Sequence, residues 1–231
     1  MSDERRKNLA GDRSDLVQTI ISMLHSGHLR PDKRIGEASL SSELGLPRGR
    51  VRSALEELKQ FGVLVRVPRS GTFLRSISLD SFCESIDIRA ALEALAIRLF
   101  CAKADSSQLS ALADLAEEVD ELNGEILAGN RSVYPVLMKK DLMFHATIAE
   151  NSGNQRLFDT LKKERLIEYT FCLLETEIKV PQPSSDLPVP THAEIAKALM
   201  KRDAKLSEEL VRQHILRTKT LRLLRYTGEM I

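Results

Sequence analysis

Residues 37–73 read EASLSSELGLPRGRVRSALEELKQFGVLVRVPRSGTF, and this stretch decides the fold of the N-terminal part of the chain. Its first half predicts two helices, over 37–44 and 47–61, that a tight glycine-containing turn separates. Two short apolar runs follow, VLVRV (63–67) and TFLRS (72–76), with a turn between them. Two helices joined by a tight turn and followed by a hairpin are typical of a winged helix-turn-helix.

The rest of the chain predicts helices only. A helix is expected over 14–26, ahead of the quoted stretch, because apolar residues repeat there at helical spacing. From about residue 80 long amphipathic segments follow, separated by runs that contain glycine, serine and proline. Their expected positions are near 81–104, 106–129, 132–150, 154–180, 191–202 and 203–227. The chain is therefore predicted to be mainly α, with an N-terminal winged helix-turn-helix over 1–77 and a C-terminal all-α helical bundle over 78–231.

The composition is that of a folded, water-soluble protein. Of the 231 residues, 42% are hydrophobic and 29% are charged, which argues against disorder. No apolar run approaches the roughly 18 residues that a membrane helix needs. The first residues, MSDERRKNLAGDRSD, lack an apolar segment, and the three cysteines are widely spaced. We therefore expect a cytoplasmic protein with no membrane contact and with reduced thiols.

Positive charge is concentrated in the N-terminal third. Residues 1–76 hold 14 Lys and Arg against 9 Asp and Glu, whereas residues 77–231 hold 20 against 24. A basic segment joined to a mildly acidic one indicates that the first part alone meets a polyanion. The excess is small enough for chance to remain an alternative on charge alone.

Three arginines lie at the start of the second helix of the quoted stretch: Arg48, Arg50 and Arg52. In helix-turn-helix proteins this end of the helix enters the major groove, where the guanidinium fork pairs with guanine O6 and N7. Arg48 and Arg52 are four residues apart and share one helix face, whereas Arg50 points elsewhere and is expected to meet phosphate. A solvated helix face is the alternative, and the neighbouring turn and hairpin patterns favour DNA.

The hairpin tip carries a second group of candidate DNA contacts. Arg69, Ser70 and Gly71 lie in the turn between the two strands. A glycine at this place allows a close approach of the sugar-phosphate chain or of the minor groove. The tip is therefore predicted to contact DNA beside the helix.

The run from Ile21 to Phe73 resembles the GntR family of winged-helix regulators. The family pattern has G-x-L-x-P before a turn, an R-x-x-V-R-x-A-L-x-x-L helix and a P-x-x-G-T-F wing. The matching residues are Gly27 to Pro31, Glu37, Leu40, Leu44 to Leu46, Arg48, Val51, Arg52, Ala54, Leu55, Leu58, Gly62, Val63 and Pro68 to Phe73. The resemblance implies that Arg48, Arg52 and Gly71 contact DNA. Positions that depart from the usual residues are Pro47, Arg50, Ser53 and Ala38. These departures leave the operator sequence open.

Three of the five histidines, His145, His192 and His214, fall in the predicted bundle, where Asp141 lies four residues before the first of them. This spacing puts the carboxylate and the imidazole on one helix face. An Asp and three His form a mixed N/O ligand set that suits zinc, nickel, manganese or iron(II). On spacing alone, a surface Asp–His contact and packed core histidines remain alternatives.

Residues from about 81 to 225 resemble the FCD domain, the all-helical effector domain of FadR-like GntR regulators. The motifs that carry this resemblance are Arg89 to Glu93, Asp141 to Asn154, His192 to Leu199, and His214 with Ile215. It implies that Asp141 and the three histidines bind a divalent transition metal, with zinc expected and nickel, manganese or iron as alternatives. It also implies a small organic acid at the metal, with Arg89 pairing with its carboxylate. A salt bridge from Arg89 to Glu93, one helical turn on, is the alternative.

Together these patterns predict a ligand-responsive bacterial transcriptional regulator, not an enzyme. A homodimer is expected to bind a pseudo-palindromic double-stranded DNA operator as a repressor. A small carboxylate at the metal site would control its DNA affinity. Two alternatives remain: a metal-dependent hydrolase-like enzyme fused to a DNA-binding module, and a regulator whose effector domain binds no metal.

Overall fold

The computed structural model describes residues 16–17, 19–21, 23, 28–29, 33–60, 62–75, 77–175 and 189–227. The chain divides into two compact units, Met1–Ser78 with Leu166–Glu177, and Leu79–Arg165 with Ile178–Ile231. The domain ranges that the sequence suggests, 1–77 and 78–231, stay predictions.

In the first unit, helix α1 spans Glu37–Leu44 and helix α2 spans Arg48–Gln60. Gly45 ends α1 with a φ of 65°, in the left-handed region that glycine adopts at little cost. The predicted pair of helices and their glycine-containing turn are confirmed. Helix α2 begins one residue later than predicted, because the Pro47 carbonyl already accepts N–H groups of the first helical turn.

The wing is an antiparallel hairpin. Strand β1 spans Leu64–Val67 and strand β2 spans Gly71–Leu74, with Leu64 opposite Leu74 and Val67 opposite Gly71. The segment before α1, which the sequence predicts as a loop, adds an isolated bridge. There the Ile35 N–H donates to the Thr72 carbonyl oxygen at 2.8 Å.

An earlier helical segment supports these elements. Residues 16–17, 19–21 and 23 are helical, in agreement with the helix predicted over 14–26. The predicted ends of this helix, at residues 14 and 26, lie outside the described residues. The buried apolar residues of this unit form one cluster: Leu16, Val17, Ile20, Ile21, Ile35, Leu40, Leu44, Val51, Ala54, Leu55, Leu58, Val63, Leu64 and Leu74. This cluster holds α2 and the wing in place with their arginine side chains outward.

In the second unit the described residues form helices with no strand. They are α3 (Leu79–Lys103), α4 (Ser106–Leu127), a short 3-10 turn (Arg131–Val133), α5 (Tyr134–Glu150), α6 (Gln155–Glu175), α7 (His192–Met200) and α8 (Ala204–Thr227). The part of α6 from Leu166 onward belongs to the first unit. These bounds lie within a few residues of the prediction. The predicted end of the fourth helix, 176–180, lies outside the described residues. The mainly α architecture, with a winged helix-turn-helix and an all-helical unit, is confirmed.

Helix packing in this unit positions three helices that matter below. Helix α3 packs along α8 and against α5, and α4 packs against α5 and α7. Phe82, Phe100 and Phe144 are fully buried, and burial of each aromatic ring contributes about 1.5–3 kcal/mol. Helices α5, α7 and α8 are thereby fixed around one another.

Candidate functional site: a metal centre and a basic surface

The four predicted metal ligands meet in the helical unit. Asp141 and His145 lie one turn apart on α5, His192 is the first residue of α7, and His214 lies on α8. One ligand atom from each side chain lies within 4.8 Å of those of the other three. Among the described residues this is the one His, Cys, Asp and Glu cluster with such geometry. Residues as far apart in the sequence as Asp141 and His214 are therefore brought to one point by helix packing.

One ring nitrogen of His145, Nδ1, has a hydrogen-bond partner, and the other, Nε2, has none among the described residues. Its Nδ1 lies 2.5 Å from Glu93 Oε2, and the ring is buried. Among the described residues its Nε2 has no hydrogen-bond partner, and the nearest carboxylate oxygen, Asp141 Oδ1, lies 3.8 Å away. A buried polar atom without a partner costs about 1–3 kcal/mol. This nitrogen is therefore available to a metal ion.

His192 is fixed by the start of its own helix. Its Nδ1–H donates to Asp120 Oδ1 at 3.0 Å, and the same carboxylate accepts the backbone N–H groups of His192 and Ala193 at 3.1 and 2.9 Å. Thr191 and Glu194 form a reciprocal capping box at this end of α7. On the other side, His192 Nε2 lies 3.1 Å from Asp141 Oδ1. Hydrogen bonds thus fix both the backbone of His192 and the orientation of its ring.

His214 follows the same pattern. Its Nδ1–H donates to the Pro190 carbonyl oxygen at 2.7 Å. In all three rings Nδ1 is therefore engaged outside the cluster, by Glu93, Asp120 and Pro190 respectively. In the neutral rings of His145 and His214 this leaves the lone pair on Nε2, whereas His192 presents a lone pair there only after it loses its second proton. Such outward hydrogen bonds fix the tautomer and orientation of metal-binding histidines.

The protonation of the three histidines follows from their surroundings. Burial lowers the pKa of His145 to about 3 and that of His214 to about 4, so both rings are neutral, the form that binds metals. Burial also opposes the charge on His192, but hydrogen bonds with Asp120 and Asp141 outweigh it and raise its pKa to about 9. The pKa of Asp141 is well below its usual value, because these histidine contacts outweigh the burial that opposes its charge.

A buried ion network lies behind His145. Glu93 Oε1 accepts from Arg89 Nε at 2.6 Å and from Arg165 Nε at 3.0 Å. Arg165 also donates through Nη1 to the Leu142 carbonyl oxygen at 3.1 Å. Burial opposes the charge of Glu93, but the two guanidinium groups outweigh it and hold its pKa well below the usual value. The salt bridge that the sequence offers as the alternative for Arg89 is therefore present.

The sequence did not predict the residues that support the ligands. The sequence patterns mark Glu93 only as a neighbour of Arg89, and they mark neither Asp120 nor Arg165. Asp120 is 72 positions from the histidine that it holds, and no local spacing reveals such a pair. For Glu93 the one available signal is its spacing of four residues from Arg89, and that spacing does not indicate its contact with His145.

The donor set fits a divalent transition metal. It comprises one carboxylate oxygen and three imidazole nitrogens, of which the histidines are buried and the Asp141 side chain is 30% exposed. Zinc binds such nitrogen and oxygen ligands at about 2.0–2.2 Å. The separations within the cluster, up to 4.8 Å, leave room for an ion between the ligand atoms. The orphaned Nε2 of His145 and the anchored rings make this a better fit to a metal site than to a packed core.

The predicted DNA contacts lie on the surface of the first unit. Arg48 and Arg52 are exposed and Arg50 is half-buried, all in the first turns of α2. Arg52 donates through Nε to Glu37 Oε2, on α1, at 3.0 Å, and 64% of its side chain is exposed. Sequence reasoning did not predict this ion pair.

The wing residues are also at the surface. Arg69 and Ser70 are exposed at the tip, and Gly71 opens β2 half-buried. Their contact with DNA stays a prediction.

Comparison with known proteins agrees with both units. A family model described as "Bacterial regulatory proteins, gntR family" matches residues 13–74, and one described as "FCD domain" matches residues 84–217. The chain is 34% identical over 140 residues to the Nta operon transcriptional regulator of Aminobacter aminovorans, covering 61% of this chain and 63% of that relative. The chain thus spans less than two thirds of that relative's length.

A second relative covers more of the chain. The HTH-type transcriptional repressor GlaR of Escherichia coli (strain K12) is 24% identical over 197 residues, 82% of this chain and 86% of that protein. The solved structure of E. coli McbR/YncC superposes with a TM-score of 0.70 over 93% of this chain and 98% of that one, at 18% identity, which shows a shared fold.

The relatives matched by sequence are transcriptional regulators and not enzymes. The chain belongs to the GntR family of bacterial regulatory proteins and carries an FCD domain. In the part of the chain that the structure describes, no helix is long and apolar enough to cross a membrane.

Proposed function

We propose that this regulator is a repressor whose affinity for its operator is controlled by a small carboxylate at a metal ion. The metal would be held by Asp141, His145, His192 and His214, with zinc as the expected ion and nickel, manganese or iron as alternatives. One observation carries the proposal: the three histidines turn inward while Glu93, Asp120 and the Pro190 carbonyl hold them from outside.

The DNA half of the proposal rests on the exposed arginines of α2. Arg48 and Arg52 share a helix face, and we assign them to guanine in the major groove. Arg50 is assigned to phosphate, and the wing tip to the DNA backbone or minor groove. A homodimer would present two such helices to half-sites about 34–36 Å apart, which makes the operator a pseudo-palindrome. That GlaR is a repressor supports the direction of control.

The effector half rests on access to the cluster. Asp141 is the ligand that solvent reaches, since 30% of its side chain is exposed while the side chains of His145 and His192 are almost fully buried. A bound divalent ion would supply a Lewis-acid anchor for the carboxylate of a small organic acid. We also propose Arg89 as an effector contact. A clamp through its Nε requires the ion pair with Glu93 to open, because that atom already donates to the carboxylate.

Control of DNA binding needs different effector affinities for two arrangements of the protein. Coupling of this kind is typically about 1–3 kcal/mol, and it is reciprocal: operator DNA must weaken effector binding by the same factor. A carboxylate that binds both arrangements equally would stabilise the protein without releasing DNA.

A thermal-shift screen of small carboxylates against the zinc-loaded protein tests this proposal. We expect one chemical class to raise the melting temperature of the wild type and to have no effect on Asp141→Ala. The same compound should release operator DNA from the wild type. Purified protein without bound metal by elemental analysis, together with an unchanged melting temperature when zinc is added, would contradict the metal and favour an effector domain that binds none.

A further inference from the structure

The face of Gly71 at the base of the wing turn is covered. The backbone here has a φ of +125°, and a Cβ atom added at this residue would lie 2.6 Å from Arg34 Nε, 2.9 Å from Cδ and 3.0 Å from Cγ. The Arg34 side chain therefore lies across the glycine backbone. The sequence predicts that Gly71 lets DNA approach closely, but on this side the approaching group would meet Arg34 first.

Backbone pairing brings Arg34 to the wing. The next residue, Ile35, donates its N–H to the Thr72 carbonyl oxygen at 2.8 Å, so the segment before α1 runs beside β2. Arg34 is thus held at the start of β2, although it precedes that strand by 37 positions. It is exposed, and among the described residues no hydrogen-bond or ion-pair partner of its side chain is found.

A second arginine is held at the same end of the hairpin at some cost. Arg69 has a φ of 62°, in the turn that the Ser70 N–H closes by donating to the Val67 carbonyl oxygen at 3.1 Å. This left-handed conformation favours glycine over residues that carry a Cβ atom. Arg69 is also exposed, and no ion pair of its side chain is found within the described ranges. The turn therefore presents a positive charge at the tip of the wing.

We propose that Arg34 and Arg69 form a wing clamp for the DNA backbone, in which both guanidinium groups bind phosphate. Because Gly71 has no Cβ atom, the Arg34 side chain has room to lie against the backbone at this position. The inference rests on the proposed DNA-reading function and adds to it a contact, Arg34, that lies outside the helix-turn-helix and the hairpin. Guanidinium groups bind phosphate oxygens through charge-assisted and often bidentate hydrogen bonds. A phosphate contact adds affinity on every sequence, unlike the base contacts assigned to α2.

The test uses the full-length protein and the DNA duplex that the wild type enriches from a random-sequence library. Fluorescence anisotropy gives the Kd of that duplex, and of a scrambled one, at several salt concentrations. For Arg34→Ala and Arg34→Gln we expect about a tenfold weaker Kd at fixed salt, the loss of one charge-assisted hydrogen bond. The negative slope of log K against log salt should become shallower by about 0.9, the contribution of one phosphate contact.

Two further variants separate charge from packing. Arg34→Lys keeps the positive charge and should therefore keep the wild-type salt dependence. Arg34→Gln keeps much of the aliphatic stem but removes the charge, so its salt dependence should be weaker. Arg75→Ala removes another exposed arginine, directly after the far end of β2, and should leave the slope unchanged. Unchanged thermal unfolding of each variant shows that the fold is intact.

The outcomes distinguish the clamp from the function on which it rests. If Arg34→Ala and Arg34→Gln bind with the wild-type Kd and slope while Arg48→Ala loses binding, the clamp is wrong and the DNA-reading function stands. The phosphate assignment would also be wrong if the Arg34 variants lost affinity only for duplexes that carry a particular base pair at one position. If the wild type enriches no duplex, the proposed function itself fails.

Discussion

The carboxylate of Asp120 offers a sharp test of how the metal centre is built. Asp120 is no ligand itself, yet it accepts three hydrogen bonds at the start of α7, from the ring and backbone of His192 and from the backbone of Ala193, over 2.9–3.1 Å. Asp120→Asn keeps the shape of the side chain and removes its charge. It also replaces one acceptor oxygen with an NH2 group, which cannot accept from Nδ1–H or from a backbone N–H.

Two magnitudes follow from these contacts. Loss of a negative charge at a helix N-terminus costs about 0.3–1 kcal/mol, and hydrogen bonds to a neutral group are roughly half as strong as those to a charged one. We therefore expect the free energy of unfolding to fall by about 1–2 kcal/mol. Because Asp120 orients a ligand, we expect metal affinity to fall by about 10–100-fold.

Competition for zinc against a fluorescent chelator measures the metal Kd, and urea unfolding followed by circular dichroism measures stability. Asp114→Asn is the matched control, since Asp114 is an exposed aspartate on the same helix, and it should leave both quantities within error of the wild type. A folded Asp120→Asn protein with the wild-type zinc Kd would refute the view that this carboxylate positions His192.

Three further predictions follow from the same unit. Glu93→Gln leaves two buried guanidinium groups without their counter-charge, so urea unfolding should show a loss of about 3–5 kcal/mol, whereas Glu84→Gln, an exposed change on α3, should cost little. Zinc at about 100 times its Kd should raise the melting temperature of the wild type by about 5–10 °C, a chelator should reverse this, and His214→Ala should show no shift. Burial raises the pKa of Cys101 and reduces its thiolate fraction at pH 8. Iodoacetamide followed by peptide mass spectrometry should therefore find the half-buried Cys83 labelled before Cys101, and equal labelling of these two would contradict the burial.

Local sequence patterns predicted the elements of the fold well, for a physical reason. The helix-turn-helix was readable because Gly45 ends α1 and the apolar stripe of α2, Val51 to Leu58, repeats at helical spacing. The bridge from Ile35 to Thr72 was not readable, since it pairs a segment without a strand pattern to a strand far along the chain. The contact of Arg34 with the wing depends on that bridge and was therefore missed.

The candidate metal centre was predicted in part. Asp141 and His145 share a helix face by spacing alone, but the positions of His192 and His214 beside them came from a family resemblance and not from periodicity. The supporting residues were out of reach, because Glu93 and Asp120 touch the histidines only through helix packing over 52 and 72 positions. Burial and hydrogen-bond partners, which decide the ionisation of these rings, exist only in the folded chain.

The central claim is that Asp141, His145, His192 and His214 hold one metal ion. Anomalous diffraction at the zinc edge, from crystals of the zinc-loaded full-length protein, tests it most directly. We predict a single strong peak per chain between these four side chains, with zinc–nitrogen distances of about 2.0–2.1 Å to the three histidines. A map with no peak at this cluster, or with zinc bound only elsewhere on the chain, would contradict the claim.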